Sequence, residues 1–352
     1  MGNVERAVAA LVAKGERVTK GKKISAGALL CLYAGIGGAD PRGALPWPAE
    51  LPSAVLPGAS LYVSEKSNIV LDFHGSVQDP DLVIFMAGNQ YRAIPDLISA
   101  FREWLPSQPQ FRSVHAERVF YATTPPGRLI DAMESGQLLL GNLWIDVRPG
   151  KLWPDVFMTG PRQQRRLQAA KYIDSWWVYT RNRGVVLLVA AGNPKNIRSL
   201  GDLARDDVRV ALSSPKREPA SFESYSNTLR AQGGAQLPER LLAKPSTVSP
   251  VAVHHRENPQ FIFDGVADVA PMYFHFGDYL KKHMPQHFDY VALPAEGNFV
   301  DELAISILNQ APHRAAALAW TEFMRSDAAA AVYNRNGFDY ITASERSRRE
   351  QQ

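Results

Sequence analysis

The sequence predicts an α/β protein with mostly parallel sheets flanked by helices, arranged in two lobes. Short apolar runs alternate with stretches of helical spacing from residue 82 to residue 342, a pattern typical of βαβ units. At 352 residues the chain is too long for one ordinary hydrophobic core, which favours two lobes. Its 45% hydrophobic and 21% charged residues are typical of a globular protein.

The clearest unit of this pattern lies at residues 81–101. The apolar run at 82–86 predicts a buried parallel strand, and the polar residues 87–90 predict a loop after it. A helix should follow, because apolar residues then recur at helical spacing. These residues are Ile94, Leu97, Ile98 and Phe101. The free N–H groups at such a helix start form a possible seat for an anion.

The same order of strand, loop and helix continues along the chain. Further strands are predicted at residues 118–122, 155–158, 185–190, 208–212, 247–253, 267–270, 290–293 and 303–308. Two helices are predicted near the C-terminus, at 314–324 and 328–333. Strands separated by helical stretches of this kind favour crossover connections.

The first 58 residues form a segment of different character. The uncharged run 24–39 follows a basic stretch and has the length of a signal-peptide core, although it is short for a membrane span. About 20 residues precede the basic stretch, and this is long for the n-region of a signal peptide. An amphipathic helix at 4–14 and a misplaced start codon are therefore alternatives. Residues 40–58 are rich in Pro and Gly and predict an arm or linker. Residues 59–80 predict accessory strands.

The charge distribution limits the classes of partner. The formal net charge is +4, and the basic residues are scattered rather than gathered in one long run. This gives little support to a nucleic-acid partner and suits an anionic ligand. The single cysteine, Cys31, excludes a disulfide framework and a multi-cysteine metal site. Cleavage after the apolar run would remove Cys31, which suits an oxidising periplasm.

Motifs for catalysis or metal binding are missing from the sequence. It contains no Gly-x-Ser-x-Gly elbow, no Walker loop and no His-Glu-x-x-His motif. One group of residues suggests a metal site, but Pro285 interrupts the helical spacing of its last two histidines. The group consists of His275, Asp278, His283 and His287. We therefore predict no enzymatic activity, no cofactor and no metal.

Four passages give the chain a resemblance to a known family. They are TTPPG at 123–127 before a helix that ends in ESG, WPDVF at 153–157, LVAAGNP at 188–194 with SLGDL at 199–203, and GVADV at 265–269 with 312–324 and the Gly-Phe pair at 337–338. In this order, they resemble passages of the extracellular solute-binding proteins of ABC importers. The resemblance is to the two-lobed periplasmic class that includes molybdate-binding proteins.

The resemblance implies a type II periplasmic-binding-protein fold with a ligand cleft between the lobes. Lobe one would comprise residues 81–180 and 290–345, lobe two residues 181–289, and a basic and polar tail residues 346–352. It implies an exported, monomeric receptor with two partners, a small anionic solute and the permease subunits in the membrane. The solute would be an oxyanion such as molybdate or tungstate, or a related anion. The alternative is a cytosolic ligand-sensing regulator, but the first 58 residues offer one helix and not a complete helix-turn-helix.

Candidate ligand-binding residues follow from the loop positions that the resemblance implies. In lobe one they are Gly88, Asn89, Gln90, Thr123, Thr124, Thr159 and Gly160. In lobe two they are Ser213, Ser214, Ser221, Tyr225, His254, His255, Arg256, Met272 and Tyr273. N–H and O–H donors of this kind bind an oxyanion without a full opposing charge. The first loop departs from the molybdate-binding pattern, since Asn89-Gln90-Tyr91 stands where a small hydroxyl residue is usual.

The stretch 253–259 allows two interpretations. His254, His255 and Arg256 lie after a predicted strand, where they could contact an anion. Alternatively, the stretch is a solvated turn in which Arg256 and Glu257 form a minor ion pair.

Overall fold

The computed structural model describes residues 72–75, 77–140, 143–249 and 255–345. Within these residues the chain forms two α/β lobes, each built around its own sheet. Lobe one contains a seven-stranded sheet and lobe two a five-stranded sheet. The α/β class is confirmed, but the sheets are mixed rather than mostly parallel, because the strands next to each lobe crossing run antiparallel to their neighbours.

The strands of the described residues are numbered in chain order. They are β1 (Phe73–His74), β2 (Leu82–Met86), β3 (Val119–Ala122), β4 (Gln137–Leu140), β5 (Leu143–Asp146), β6 (Val156–Thr159), β7 (Trp177–Arg181), β8 (Val185–Ala190), β9 (Val210–Ala211), β10 (Thr247–Val248), β11 (Val269–Tyr273), β12 (Phe288–Ala292), β13 (Glu302–Ile307) and β14 (Asp339–Tyr340).

The α-helices of the same residues are numbered likewise. They are α1 (Ile94–Trp104), α2 (Pro126–Ser135), α3 (Pro161–Ala169), α4 (Pro219–Gly233), α5 (Leu237–Ala243), α6 (Asn258–Phe263), α7 (Phe274–His283), α8 (Arg314–Phe323) and α9 (Asp327–Arg335). Short 3-10 helices lie at Gly88–Gln90, Leu105–Ser107, Pro109–Phe111, Leu200–Ala204 and His255–Glu257.

Lobe one has the strand order β1-β3-β2-β6-β13-β7-β14. Strand β2 is parallel to β3 and β6, so the carboxyl ends of these three strands meet at one edge. Helices α1, α8 and α9 cover one face, where Phe101 packs edge-on against Trp320 at 5.1 Å between ring centroids. Helices α2 and α3 cover the other face through Leu129 and Leu167, which are fully buried.

Lobe two has the strand order β10-β9-β11-β8-β12. Helices α4 and α5 cover one face of this sheet, with Leu229 and Leu241 in the core. Helix α7 packs on the other face, close to β8 and β12. Its Gly277 permits this approach, since an added Cβ would lie 2.7 Å from Cγ2 of Val186. An alanine there would therefore push the helix away from the sheet.

Within the described residues, the chain crosses between the lobes twice. It leaves lobe one after β7, enters lobe two at β8, and returns between β12 and β13. The whole of β12 belongs to the second sheet, where it pairs with β8 from Phe288 to Ala292. The return therefore lies after residue 292, later than the boundary at 290 that the sequence predicted.

Most of the predicted strands are present. The runs 82–86 and 185–190 have the predicted bounds, and the four apolar positions of α1 are all buried. Strands β7 and β14 and the β4–β5 hairpin were not predicted. The predictions for residues 1–71 and for the tail 346–352 lie outside the described residues. None of the described helices is long and apolar enough to cross a membrane.

A buried ion pair joins the two lobes away from the crossings. Arg256 of lobe two pairs with Asp72, which precedes β1, and both side chains are fully buried. The same guanidinium lies 3.4 Å from Oγ1 of Thr123 and 4.5 Å from the ring centroid of Tyr91. Because the charges are removed from water, they stabilise the pairing only while both partners are present.

We predict that Arg256→Ala lowers the free energy of unfolding by about 3–5 kcal/mol, because Asp72 is left as a buried charge without its cation. Urea unfolding measures this loss. The control is Arg240→Ala on the exposed side of α5, which should change stability by less than about 0.5 kcal/mol. An Arg256→Met variant should lose stability for the same reason, and adding Asp72→Asn to it should recover part of that loss. Equal losses for Arg256→Ala and Arg240→Ala would contradict a stabilising ion pair.

Candidate functional site

A cavity of about 760 Å³ lies between the lobes. Its lobe-one wall is made by the loops that follow β2, β3 and β6, and its lobe-two wall by the first turns of α4 and the end of β11. The return crossing supplies the remaining wall at Val300 and Asp301. The cavity therefore lies where the carboxyl ends of the parallel strands face the other lobe, a common position for ligands in open α/β sheets.

Four helices begin at this cavity. Pro126 starts α2, Pro161 starts α3, Pro219 starts α4, and Tyr273 is the N-cap residue of α7. A first-turn N–H has no acceptor within its own helix, and the helix dipole places partial positive charge there. Proline at the first position of three of these helices removes only an N–H that the helix does not use. The backbone therefore favours negative charge in the cavity.

Two arginines lie on the lobe-one side. Arg162 occupies the second position of α3 and is exposed, so its guanidinium is able to reach a bound group. Arg181, at the end of β7, donates to Oε1 of Glu345 at 2.9 Å and is held at the cavity wall. Arg162 therefore adds to the positive field of the helix starts, whereas Glu345 and Asp339 compensate the charge of Arg181.

A carboxylate network occupies the wall formed by the two lobe crossings. Asp301 accepts hydrogen bonds from the hydroxyls of Ser224 and Tyr273. The amide nitrogen of Asn182 lies 3.5 Å from Oδ2 of the same carboxylate. Backbone contacts fix the pair further, because Asn182 N–H donates to the Asp301 carbonyl at 3.0 Å and Asp301 N–H to Oδ1 of Asn182 at 3.1 Å. Asp301 is thus held between both lobe crossings.

Burial controls the ionisation of this network. Burial raises the pKa of Asp301, and the hydrogen bonds from Ser224, Tyr273 and Asn182 partly offset that effect. Burial, together with the Asp301 carboxylate, raises the pKa of Tyr273 well above its usual value, so the phenol remains a donor at neutral pH. The network therefore presents a carboxylate whose charge is compensated by dipoles.

Three more carboxylates line the cavity. Glu218 precedes α4 and is buried, whereas Glu223 and Glu302 are more exposed. Burial lowers the pKa of Arg128, and Asp72 and Glu218 act in the opposite direction, so Arg128 and Glu218 interact electrostatically. Within the described ranges, no group of three or more His, Cys, Asp or Glu side chains is placed to hold a metal ion.

The structure brings six of the predicted residues to the cavity. These are Gly88, Asn89, Thr159, Gly160, Ser221 and Tyr273. Gly88 is tightly placed, since an added Cβ would lie 2.6 Å from the carbonyl oxygen of Thr123. The three strand–loop–helix units of lobe one thus do present their loops to one point.

The other predicted residues take different positions. Gln90 is buried and accepts a hydrogen bond from the Tyr333 hydroxyl at 2.8 Å. The Ser214 hydroxyl accepts from the Arg217 N–H at 3.3 Å. Thr123 and Arg256 contact one another in the interlobe ion-pair region described above. Thr124, Ser213, Tyr225 and Met272 are buried and do not line the cavity.

Two predicted histidines fall at the edge of the described chain. His254 lies outside the described residues, and His255 begins the short 3-10 helix His255–Glu257. Arg256, in the same helix, pairs with Asp72. Neither interpretation of the 253–259 stretch, an anion contact or an exposed Arg256–Glu257 pair, describes this buried arginine.

Several residues that line the cavity were not predicted from the sequence. Arg162 lies two residues beyond Gly160, so extending the loop into the helix start would have found it. Ser224 and Asn227 lie one and nearly two turns after Ser221 on the same helix. Asp301 precedes its strand rather than following it, and the strand–loop–helix argument contains no signal for such a residue.

The raised pKa of Asp301 predicts a pH effect on stability. A carboxyl group whose pKa is higher in the folded than in the unfolded state stabilises most when protonated, and this contribution is lost as the pH rises through the folded pKa. Asp301→Asn should therefore gain stability relative to the wild type between pH 4 and pH 7. Thermal unfolding across this range measures the difference. Exposed Asp206→Asn is the control, and a constant difference for Asp301→Asn would contradict the expected ionisation.

Comparison with known proteins identifies the family. The model of the bacterial extracellular solute-binding proteins matches residues 82–339, which is more than half of the chain. No curated protein sequence matches the chain at a significant level.

Solved structures share the fold. The sulfate-binding protein SubI from Mycobacterium tuberculosis H37Rv is 18% identical, with a TM-score of 0.56 over 77% of this chain and 90% of SubI. The periplasmic molybdate-binding protein of Azotobacter vinelandii is 16% identical, with a TM-score of 0.54 over 73% of this chain and 98% of its own. Iron-bound HitA from Pseudomonas aeruginosa is 16% identical, with a TM-score of 0.51 over 72% of this chain and 84% of HitA. The two-lobed type II binding-protein fold is thus confirmed, and this chain belongs to the bacterial extracellular solute-binding proteins.

Proposed function

We propose that the protein is the extracytoplasmic receptor of an ABC importer, that it binds a small anionic solute in the interlobe cavity, and that it delivers this solute to a membrane permease. The family supports binding and transport rather than catalysis. The helix starts and the exposed Arg162 support the anionic class, although four carboxylates also line the cavity. The proposed location is the periplasm or cell exterior, as the family description implies.

One observation carries the proposal, namely the convergence of helix N-termini from both lobes on a single cavity. The α2 and α3 starts come from lobe one, and the α4 and α7 starts come from lobe two. An anion between them is attracted to both lobes at once, so it favours the arrangement in which the lobes are close. Closure in turn removes water and strengthens each hydrogen bond to the solute.

The named neighbours differ in their solutes. SubI is a sulfate-binding protein, the Azotobacter protein binds molybdate, and HitA was solved with iron. The helix starts and Arg162 favour the anionic members of this range for our chain. Thr159, Gly160 and Ser221 would supply hydroxyl and N–H donors to the anionic group. We propose that Asn89, in the first loop, makes the solute specificity of this chain different from that of molybdate receptors.

We predict that an anionic solute stabilises the purified protein. At 100 times its dissociation constant a ligand adds about 2.7 kcal/mol, which corresponds to a rise in Tm of roughly 5 °C or more at this size. A thermal-shift screen should cover sulfate, molybdate, tungstate, phosphate, small carboxylates and small phosphonates. No shift with any anion would contradict the proposal.

A matched pair of variants shows whether the bound solute occupies the cavity. Ala220, at the start of α4, lines the cavity, whereas Ala315 is exposed on α8. Ala220→Trp should abolish the thermal shift because the indole fills the space between the lobes, and Ala315→Trp should leave the shift unchanged. If Ala220→Trp keeps the full shift, the solute binds elsewhere.

A further inference from the structure

The volume of the cavity bears on the size of the solute. A water molecule takes up about 30 Å³ of liquid, so an ion with four oxygens displaces on the order of 100 Å³. The interlobe cavity measures about 760 Å³, within the range that holds organic ligands. A bare tetrahedral oxyanion would contact only part of the walls, so the cavity suits a larger solute.

Charges of both signs line the cavity. Arg162, Arg181 and Glu302 belong to lobe one, where Glu302 is the cross-strand partner of Arg181. Glu218 and Glu223 belong to the α4 side in lobe two, and Asp301 lies beside them on the return crossing. A dianion that filled the whole cavity would meet these carboxylates and be repelled by them. The wall charges therefore match a solute that is negative at one end only.

Among the acidic residues of the cavity, Asp301 has the most informative surroundings. Its carboxylate is partly exposed to the cavity, and the described side chains that hydrogen-bond with it, from Ser224, Tyr273 and Asn182, are all neutral. No described Lys, Arg or His forms an ion pair with Asp301. A carboxylate at this position is explained if a cation approaches it from the cavity.

We propose, on the basis of the receptor function above, that the solute is a small zwitterion. Its anionic group would bind at the α3 start beside Arg162, and its ammonium group would bind the Asp301 carboxylate. These two points lie near one another, since a Cβ added to Gly160 would be 3.5 Å from the carbonyl oxygen of Glu302. Ammonium donates up to three hydrogen bonds, which suits the acceptor atoms of Asp301 and the nearby Glu218. Because Ser224 and Tyr273 of lobe two hydrogen-bond to Asp301, a solute bound there would contact groups held by both lobes.

Matched pairs of probes that differ only in the ammonium group test this inference. The pairs are 2-aminoethylphosphonate with ethylphosphonate, taurine with ethanesulfonate, and β-alanine with propionate. Isothermal titration calorimetry at pH 7 with the wild-type protein gives each affinity. We expect at least one ammonium-bearing probe to bind tenfold or more tightly than its partner, because it forms an ion pair that the partner lacks.

Two variants assign the two ends of the solute. Asp301→Asn should reduce the ammonium preference to less than threefold while it leaves the affinity for the ammonium-free partner within threefold of wild type. Arg162→Ala should weaken both members of a pair by the same factor, because it acts on the anionic group that they share. Retention of the full preference in Asp301→Asn would remove Asp301 from the recognition and overturn the inference.

The outcomes separate this inference from the receptor proposal. If sulfate, molybdate or an ammonium-free probe binds as tightly as every ammonium-bearing probe, the zwitterion inference is wrong, although the receptor proposal stands. If no anion of either kind gives a binding isotherm, both fail together. Tighter binding of an ammonium-bearing probe, lost in Asp301→Asn, supports both.

Discussion

The pairing of Asn182 with Asp301 is the constraint on which the rest of the site depends. Asn182 lies on the outgoing lobe crossing and Asp301 on the returning one, and reciprocal hydrogen bonds of 3.0 and 3.1 Å hold the two segments together. Asn182 Oδ1 also accepts the Gly184 N–H at 2.9 Å, just before β8 begins. The lobes are therefore joined at a fixed point, and their facing walls are placed by that junction.

The topology of lobe one explains why the cavity is lined by loops of distant sequence. Strands β3, β2 and β6 lie side by side and run in the same direction, so their carboxyl ends reach one edge of the sheet. Each is followed by a loop, and Gly88, Pro126 and Gly160 lie in these loops or at the helix starts after them. Parallel order thus converts three separate stretches of sequence into one wall.

The sequence was informative for several elements that depend on local pattern. The run Leu82–Met86 and the periodic side chains of α1 are buried as predicted, because burial on both sheet faces or on one helix face leaves a clear apolar signature. The β4–β5 hairpin was missed although Gly141-Asn142, between two apolar runs, is a known turn signal. Pairing between distant residues leaves no such signature. The ion pair of Arg256 with Asp72 joins residues 184 positions apart, and nothing near either residue indicates the other.

The two charged features of the lobe interface differ in how they respond to solvent. Arg256 and Asp72 are fully buried and pair with one another away from the cavity, so their contribution does not depend on what occupies it. Asp301 is compensated by neutral donors and faces open space, so its cost depends on the occupant. In the proposed complex, an ammonium group near Asp301 would lower that cost, and it would do so most when the lobes exclude water. The desolvation of one carboxylate would then couple the identity of the solute to the closure of the lobes.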